Sequence, residues 1–180
     1  MTAFKKALPL LLICFLAQMD AQRRRDPLTE PEVDQLRELA QDPPKRLRLM
    51  LQFTRERWQA LHAARAAAES PERAREVGER LRDFGALVAE LESNVESYSR
   101  KADVRKPLRE IIQATNQFKD GLLAMKEAAK NDAVLAKEAR EYEYALEDVI
   151  ESVNSNLETS LLTLEQQEEA VREAKKRKKE

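Results

Sequence analysis

The chain is expected to be all-α: an elongated antiparallel four-helix bundle with coiled-coil-like heptad packing, a short helix ahead of it and an overlong helix at its end. Three observations predict this. Glycine occurs only 3 times in 180 residues, too few for the hairpin turns of a sandwich or barrel or for the phosphate loop of a Rossmann unit. Apolar residues recur in alternating steps of three and four through consecutive segments, the 3.5-residue period of helices zipped along a narrow seam. Prolines follow Asp42 and Ser70 and stand two residues after Thr29, positions in a first helical turn where a missing amide costs nothing.

Residues 1–22 have the features of a secretory signal. Lys5 and Lys6 supply the positive start and residues 8–17 the apolar stretch. Ala17 and Ala21 are the small residues a peptidase selects, with cleavage expected after Ala21, so that 1–21 is signal. The apolar stretch is shorter than the roughly 20 residues a bilayer span needs. The expected location is therefore outside the cytoplasm, periplasmic or extracellular. Cys14 falls inside the signal, so the exported part has no thiol and must hold together by packing alone. No Asn-x-Ser/Thr sequon is present, and a chain with neither bridges nor sequons fits a bacterial envelope. Residues 22–28, with Arg23, Arg24 and Arg25, are expected to be a disordered basic arm.

Residues 29–175 are expected to form one helical domain, with helices at about 30–41, 44–69, 71–101, 104–129 and 132–175. Thr29 and Glu32 have capping-box spacing and open the short first helix, with Val33, Leu36 and Ala40 on one face. Asp42, Ser70, Asp103 and Asp132 are the expected N-caps of the others. The second helix carries Leu47, Leu51, Thr54, Trp58, Leu61 and Ala68 on its seam. In the third, the pattern runs unbroken from Ala74 through Leu81, Phe84, Val88 and Val95 to Ala102. The fourth does the same from Val104 through Ile111, Thr115 and Phe118 to Ala129. The last helix has no internal proline or glycine and would be about 65 Å long, against roughly 40 Å for each of the others. Its seam is read as Leu135, Ala139, Tyr142, Leu146, Val149 and Val153. It is then expected to shift by one residue to Leu157, Leu161, Leu164 and Val171, as in a stutter. The final third should project past the bundle, where the first helix could cover it with Val33, Leu36 and Ala40. Failing that, Leu157, Leu161 and Leu164 would serve a protein partner or self-association. A basic tail follows at 176–180.

Composition argues against catalysis. Lys+Arg number 32 against Asp+Glu 33, and loss of Lys5, Lys6 and Asp20 with the signal leaves the balance near neutral, so no bulk attraction to a polyanion is implied. His62 is the sole histidine, and Gln59 stands where a Glu-x-x-His metal motif needs glutamate, so a di-metal carboxylate site cannot be assembled. Neither zinc, haem nor any other cofactor is expected. His62 is read as a surface residue one turn from Trp58. The series Glu138, Glu141, Glu143, Glu147 and Glu151 is read as a solvated face rather than as acid/base machinery. Tyr142 is placed in the core, with Tyr144 on another face. No catalytic residue and no small-molecule substrate are expected.

The densest charge run is Lys175, Lys176, Arg177, Lys178 and Lys179. Together with Arg23, Arg24 and Arg25 it could contact an anionic envelope surface, while the lack of interleaved aromatics speaks against nucleic acid. Basic residues also complement the negative C-terminus of a helix, which accounts for the run without a ligand. Leu28-Thr29 and Leu162-Thr163-Leu164-Glu165-Gln166 resemble the Leu-Thr-x-x-Gln element of periplasmic Spy/CpxP-like helical chaperones. Glu32 replaces the glutamine in the first copy, and the second lies within a helix; the resemblance does not assign the chain to that family. The function expected is a non-enzymatic exported scaffold, spacer or protein-interaction module. The alternative is a periplasmic chaperone-like or stress-response binder of unfolded or anionic partners.

Overall fold

The computed structural model describes residues 26–68 and 70–178. Residues 1–22, read above as an export signal, and Arg23, Arg24, Arg25, Glu69 and Lys179 lie outside the described residues. The described residues form five helices and no strand: α1 (Glu30–Glu38), α2 (Pro43–Ala66), α3 (Pro71–Ser99), α4 (Arg105–Asn131) and α5 (Ala133–Arg177).

Caps explain most of the boundaries. The Asp42 side chain accepts from Lys45 N, that of Ser70 from Arg73 N, and that of Asp132 from both Val134 N and Leu135 N. In α1 the Glu32 carboxylate reaches back to Thr29 N at 2.7 Å, satisfying a donor the helix leaves free. The start of α4 differs from expectation. Val104 is its N-cap, and Asp103 instead accepts from Arg105 N and pairs with the Arg105 guanidinium. These hydrogen bonds hold the Asp103 carboxyl down at about 2.

Successive helices reverse direction, but packing partners are not confined to neighbours in sequence. The principal packing pairs are α2 with α3, α3 with α5, α5 with α4, and α4 with α2, while α1 packs on α2. Contacts between α3 and α5 rise together in residue number, from Arg73–Glu138 to Ser99–Gln167, so these two are parallel. Contacts between α4 and α5 run oppositely, from Lys126–Glu147 to Arg109–Glu168. Helices α2 and α4 are also parallel, joined by Arg48–Glu110. Of the four principal pairs, α3/α5 and α2/α4 are therefore parallel and α2/α3 and α4/α5 antiparallel. The short link from α3 to α4 crosses between helices whose backbones are not principal partners.

The core follows the heptads of α3 and α4 closely. Leu81, Phe84, Val88, Leu91 and Val95 of α3, and Leu108, Ile111, Thr115, Phe118 and Leu122 of α4, are all buried. At the centre, Trp58 of α2, Phe84 of α3 and Phe118 of α4 form a triangle of rings with centroids 5.1–5.3 Å apart, a spacing at which tilted and edge contacts are favourable. The glycines all lie within helices, none at positive φ. A Cβ at Gly121 would sit 2.5 Å from Trp58 Cζ2, and one at Gly85 2.7 Å from Val149 Cγ2. Glycine is present there because neighbouring helices approach too closely for a side chain.

The first helix does not cover the end of α5. The turn at residues 39–42 folds α1 straight back onto α2, where Leu36 is buried and Ala40 is exposed. Arg46 donates to the Leu36 carbonyl, and Arg57 meets both oxygens of Glu32 at 2.7–2.8 Å. Helix α5 lies diagonally across from α2, out of reach of Val33, Leu36 and Ala40. Residues 26–28, assigned to the arm, carry Leu28 packed against the core.

Two consequences are measurable. Gly121→Ala is expected to lower stability by about 1–3 kcal/mol through overpacking, outweighing a gain in helix propensity of about 1 kcal/mol. Gly78→Ala, whose Cβ would meet Tyr142 Cβ at 3.3 Å, should be near neutral. Urea melts compare the two, and equal losses would deny the close approach at Trp58. The second concerns pH. Burial pushes the Glu32 carboxyl up, but the hydrogen bonds from Arg57 and Thr29 outweigh it and hold the group below its usual 4.5. A depressed carboxyl stabilises the fold above that value and loses the contribution as pH falls through its folded pKa. Hydrogen exchange should show α1 loosening as acidification proceeds below the usual 4.5, whereas Glu32→Gln should weaken α1 by about 2 kcal/mol at neutral pH and flatten the acid response.

Candidate interaction surface

The site follows from which face of α5 points inward. The buried line of this helix runs Tyr142, Leu146, Val149, Val153, Asn156, Ser160 and Thr163, with Ala145 buried beside it, and Gln167 continues the line. The steps of four and three never break. The expected stutter is absent: the seam keeps its phase and changes chemistry, from apolar to polar. Leu157, Leu161 and Leu164, read as the shifted seam, lie on an adjoining face.

Each polar residue turned inward meets a different demand. Asn156 is fully buried, with its Oδ1 accepting from Thr115 Oγ1 at 3.1 Å and its Nδ2 3.5 Å from the Val88 carbonyl. Gln167 closes the end of the bundle. Its Nε2 donates to the carbonyls of Ser99 and Ala102 at 2.9 and 2.8 Å, and its Oε1 accepts from Val104 N at 3.0 Å. One side chain thus satisfies three backbone groups of the α3–α4 link. Ser160 is fully buried and its hydroxyl has no partner, a penalty that the packing of its neighbours must absorb.

The outward face is correspondingly apolar. Leu161 is 49% exposed and Leu162 54%, while Leu157 and Leu164 are half-buried. With Lys119 of α4 and Glu165 they line an open groove beside α5. These leucines form one apolar stripe on an otherwise charged helix. Helix α5 stays packed as far as Glu168, which meets Arg109 at 2.6 Å, so only the last few turns project, less than the final third expected. Beyond Glu168 only Val171 among the described residues is even half-buried.

The other candidate residues are dispersed. Lys175, Lys176, Arg177 and Lys178 are all exposed at the end of α5, and Arg177 pairs with Glu173 at 3.6 Å. A second depression contains Arg48, Arg105, Lys106 and Arg109 with Asp103, but the three arginines already pair with Glu110, Asp103 and Glu168. Of the acidic series, Glu141, Glu143, Glu147 and Glu151 are exposed. Glu138 departs from the solvated-face reading. It meets Arg73 through two hydrogen bonds in a shielded pair that bridges α5 to α3. Tyr142 is buried and Tyr144 is 85% exposed. Desolvation raises the Tyr142 hydroxyl above its usual 10.0, as expected of a phenol in the core. His62 is exposed with its ring 4.5 Å from Trp58. Partial burial, with a smaller push from Arg65, lowers its pKa below 6.5. Among the described residues no group of three or more His, Cys, Asp or Glu side chains could hold a metal ion, and no helix is long and apolar enough to cross a membrane. No family model, curated protein or solved structure matches the chain.

Reading by apolar residues alone misses the inward role of Asn156, Ser160, Thr163 and Gln167. The signal that finds them is the unbroken three-four spacing from Val149 onward, followed regardless of side-chain polarity. Two expectations test the inward line. Ser160→Ala should raise stability by about 1 kcal/mol, because it removes an unpartnered buried hydroxyl. Gln167→Ala should cost about 2–3 kcal/mol by leaving backbone groups unpaired, with hydrogen exchange accelerating first at residues 99–104.

Proposed function

We propose that the protein is a non-enzymatic helical scaffold or protein-interaction module of the bacterial envelope, delivered there by its N-terminal signal. In this reading α2–α5 act together as a four-helix bundle whose purpose is to present the outer face of α5. The observation that carries the proposal is the inversion within that helix: asparagine, serine and threonine are buried while Leu161 and Leu162 are exposed and Leu157 is half-buried. Rotating these leucines inward would add apolar burial, worth about 1.5–3 kcal/mol per fully buried leucine. A sequence that forgoes this gain uses the leucines elsewhere.

Two variants test the reading. Leu161→Glu and Leu162→Glu alter the most exposed leucines and should leave helix content and melting nearly unchanged. Cross-linking in envelope extracts should yield one defined adduct with the wild type and at least about tenfold less with either variant, a loss of 1.4 kcal/mol or more. Equal adducts would remove the groove from the proposal. The same groove suits a chaperone-like role, since open apolar stripes also take unfolded segments. Suppression of client aggregation at stoichiometric ratios, lost in both variants, would favour that role over a scaffold.

A further inference from the structure

One ridge of α5, flanking its buried stripe on the α4 side, is self-complementary; its Ile150 and Leu164 also pack against the core. Leu161 lies at its middle, and positions equally far on either side, to within one residue, match in chemistry. Leu157 answers Leu164 and Ile150 answers Val171, while Asn154 stands against Glu168 as an amide against a carboxylate. Further out the matches become opposites: Glu147 answers Lys175 and Glu143 answers Lys178. All of these share the three-four spacing of one helical stripe, so they lie along a single ridge. The charged ends stand about two heptads from Leu161, roughly 21 Å along the helix, and all four of those residues are exposed.

We propose that this ridge binds a second copy of the chain, with the two α5 helices antiparallel about a two-fold axis at Leu161. The inference rests on the reading of the ridge as a protein-binding surface and names its occupant. Charge selects the orientation. In a parallel pair Glu143 and Glu147 would face their own copies, as would Lys175 and Lys178. Reversal sets each acid against a base and keeps the leucines together at the centre. A two-fold contact is isologous, so every favourable pair occurs twice. Glu151 and Arg172 flank the ridge on the same side and also stand opposite one another when reversed. On that same flank Glu158 and Glu165 stand opposite one another as like charges, an unfavourable pair at the exposed rim that water screens, and Lys119 lines the groove beside them. Glu147 retains Lys126 within its own chain, and Glu168 retains Arg109.

Sedimentation equilibrium of the purified protein, from low micromolar to submillimolar concentration, tests the pairing. The expected result is a reversible dimer that weakens with added salt. Leu161→Glu should weaken it by at least about tenfold while circular dichroism and melting stay unchanged. Arg172→Glu combined with Lys178→Glu should weaken it comparably, and adding Glu143→Lys and Glu151→Lys should restore it, since the opposite charges are then merely exchanged. Carbodiimide cross-linking of mixed isotope-labelled and unlabelled protein should join Glu143 and Glu147 of one copy to Lys178 and Lys175 of the other. A monomer throughout this range overturns the self-pairing, as does a dimer indifferent to Leu161→Glu or one whose charge reversal is not rescued. If that monomer still forms the leucine-dependent adduct in extracts, only the identity of the occupant has failed; loss of both removes the interaction surface itself.

Discussion

The structure depends on one stripe of α5 being shared by two neighbours. Helices α3 and α4 both pack on it, one parallel and one antiparallel. Every side chain on that stripe must therefore fit two surfaces at once. Close packing on the α3 side forces glycine at position 85, against Val149, and leaves Gly78 in contact with Tyr142. On the α4 side the packing admits Thr115 opposite Asn156. Because protein interiors tolerate neither voids nor overlaps of a methyl group, the shared stripe fixes the rotation of α5. That rotation determines what the helix shows to solvent.

Buried hydrogen bonds make the rotation specific. A purely apolar stripe could slide or turn by one position at modest cost, as leucines on adjoining faces substitute for one another. Asn156 and Gln167 remove that freedom, since each would lose its partners on turning. Polar groups in helical cores trade stability for a single register in this way. Ser160, which has no partner, contributes the cost without the specificity. Its smallness and its position between Asn156 and Thr163 indicate that volume decides the residue there.

Much of the fold was legible because heptads and caps are local. Ala74 to Val95 and Val104 to Met125 could be read as seams without knowing their partners, and Asp42, Ser70 and Asp132 cap as their spacing requires. The second half of α5 misled for a physical reason. Leu157, Leu161 and Leu164 flank the buried line rather than form it, Leu161 exposed and Leu164 only partly packed on the core, so the most apolar residues there are not the most buried. The candidate surface was thus named by its leucines although its geometry was misread. The placement of α1 and the crossing of the α3–α4 link were not legible either. Both depend on long-range contacts, Glu32 with Arg57 and Gln167 with Ser99, that leave no periodic trace. The shielded Glu138–Arg73 pair is a third case, since one glutamate among several differs only in what stands across from it.

The clamp made by Gln167 has a temporal side. Its three partners lie 63–68 residues earlier in the chain, and loop closure over such separations is slow compared with helix formation. During synthesis α2, α3 and α4 emerge complete while the link between α3 and α4 still has only water to satisfy it. The lower rim of the molecule is therefore sealed among the last events of maturation, when the tail of the polypeptide arrives. A chain shortened before that glutamine would retain its aromatic centre but be left ajar at one end, and quality-control proteases act on such openings.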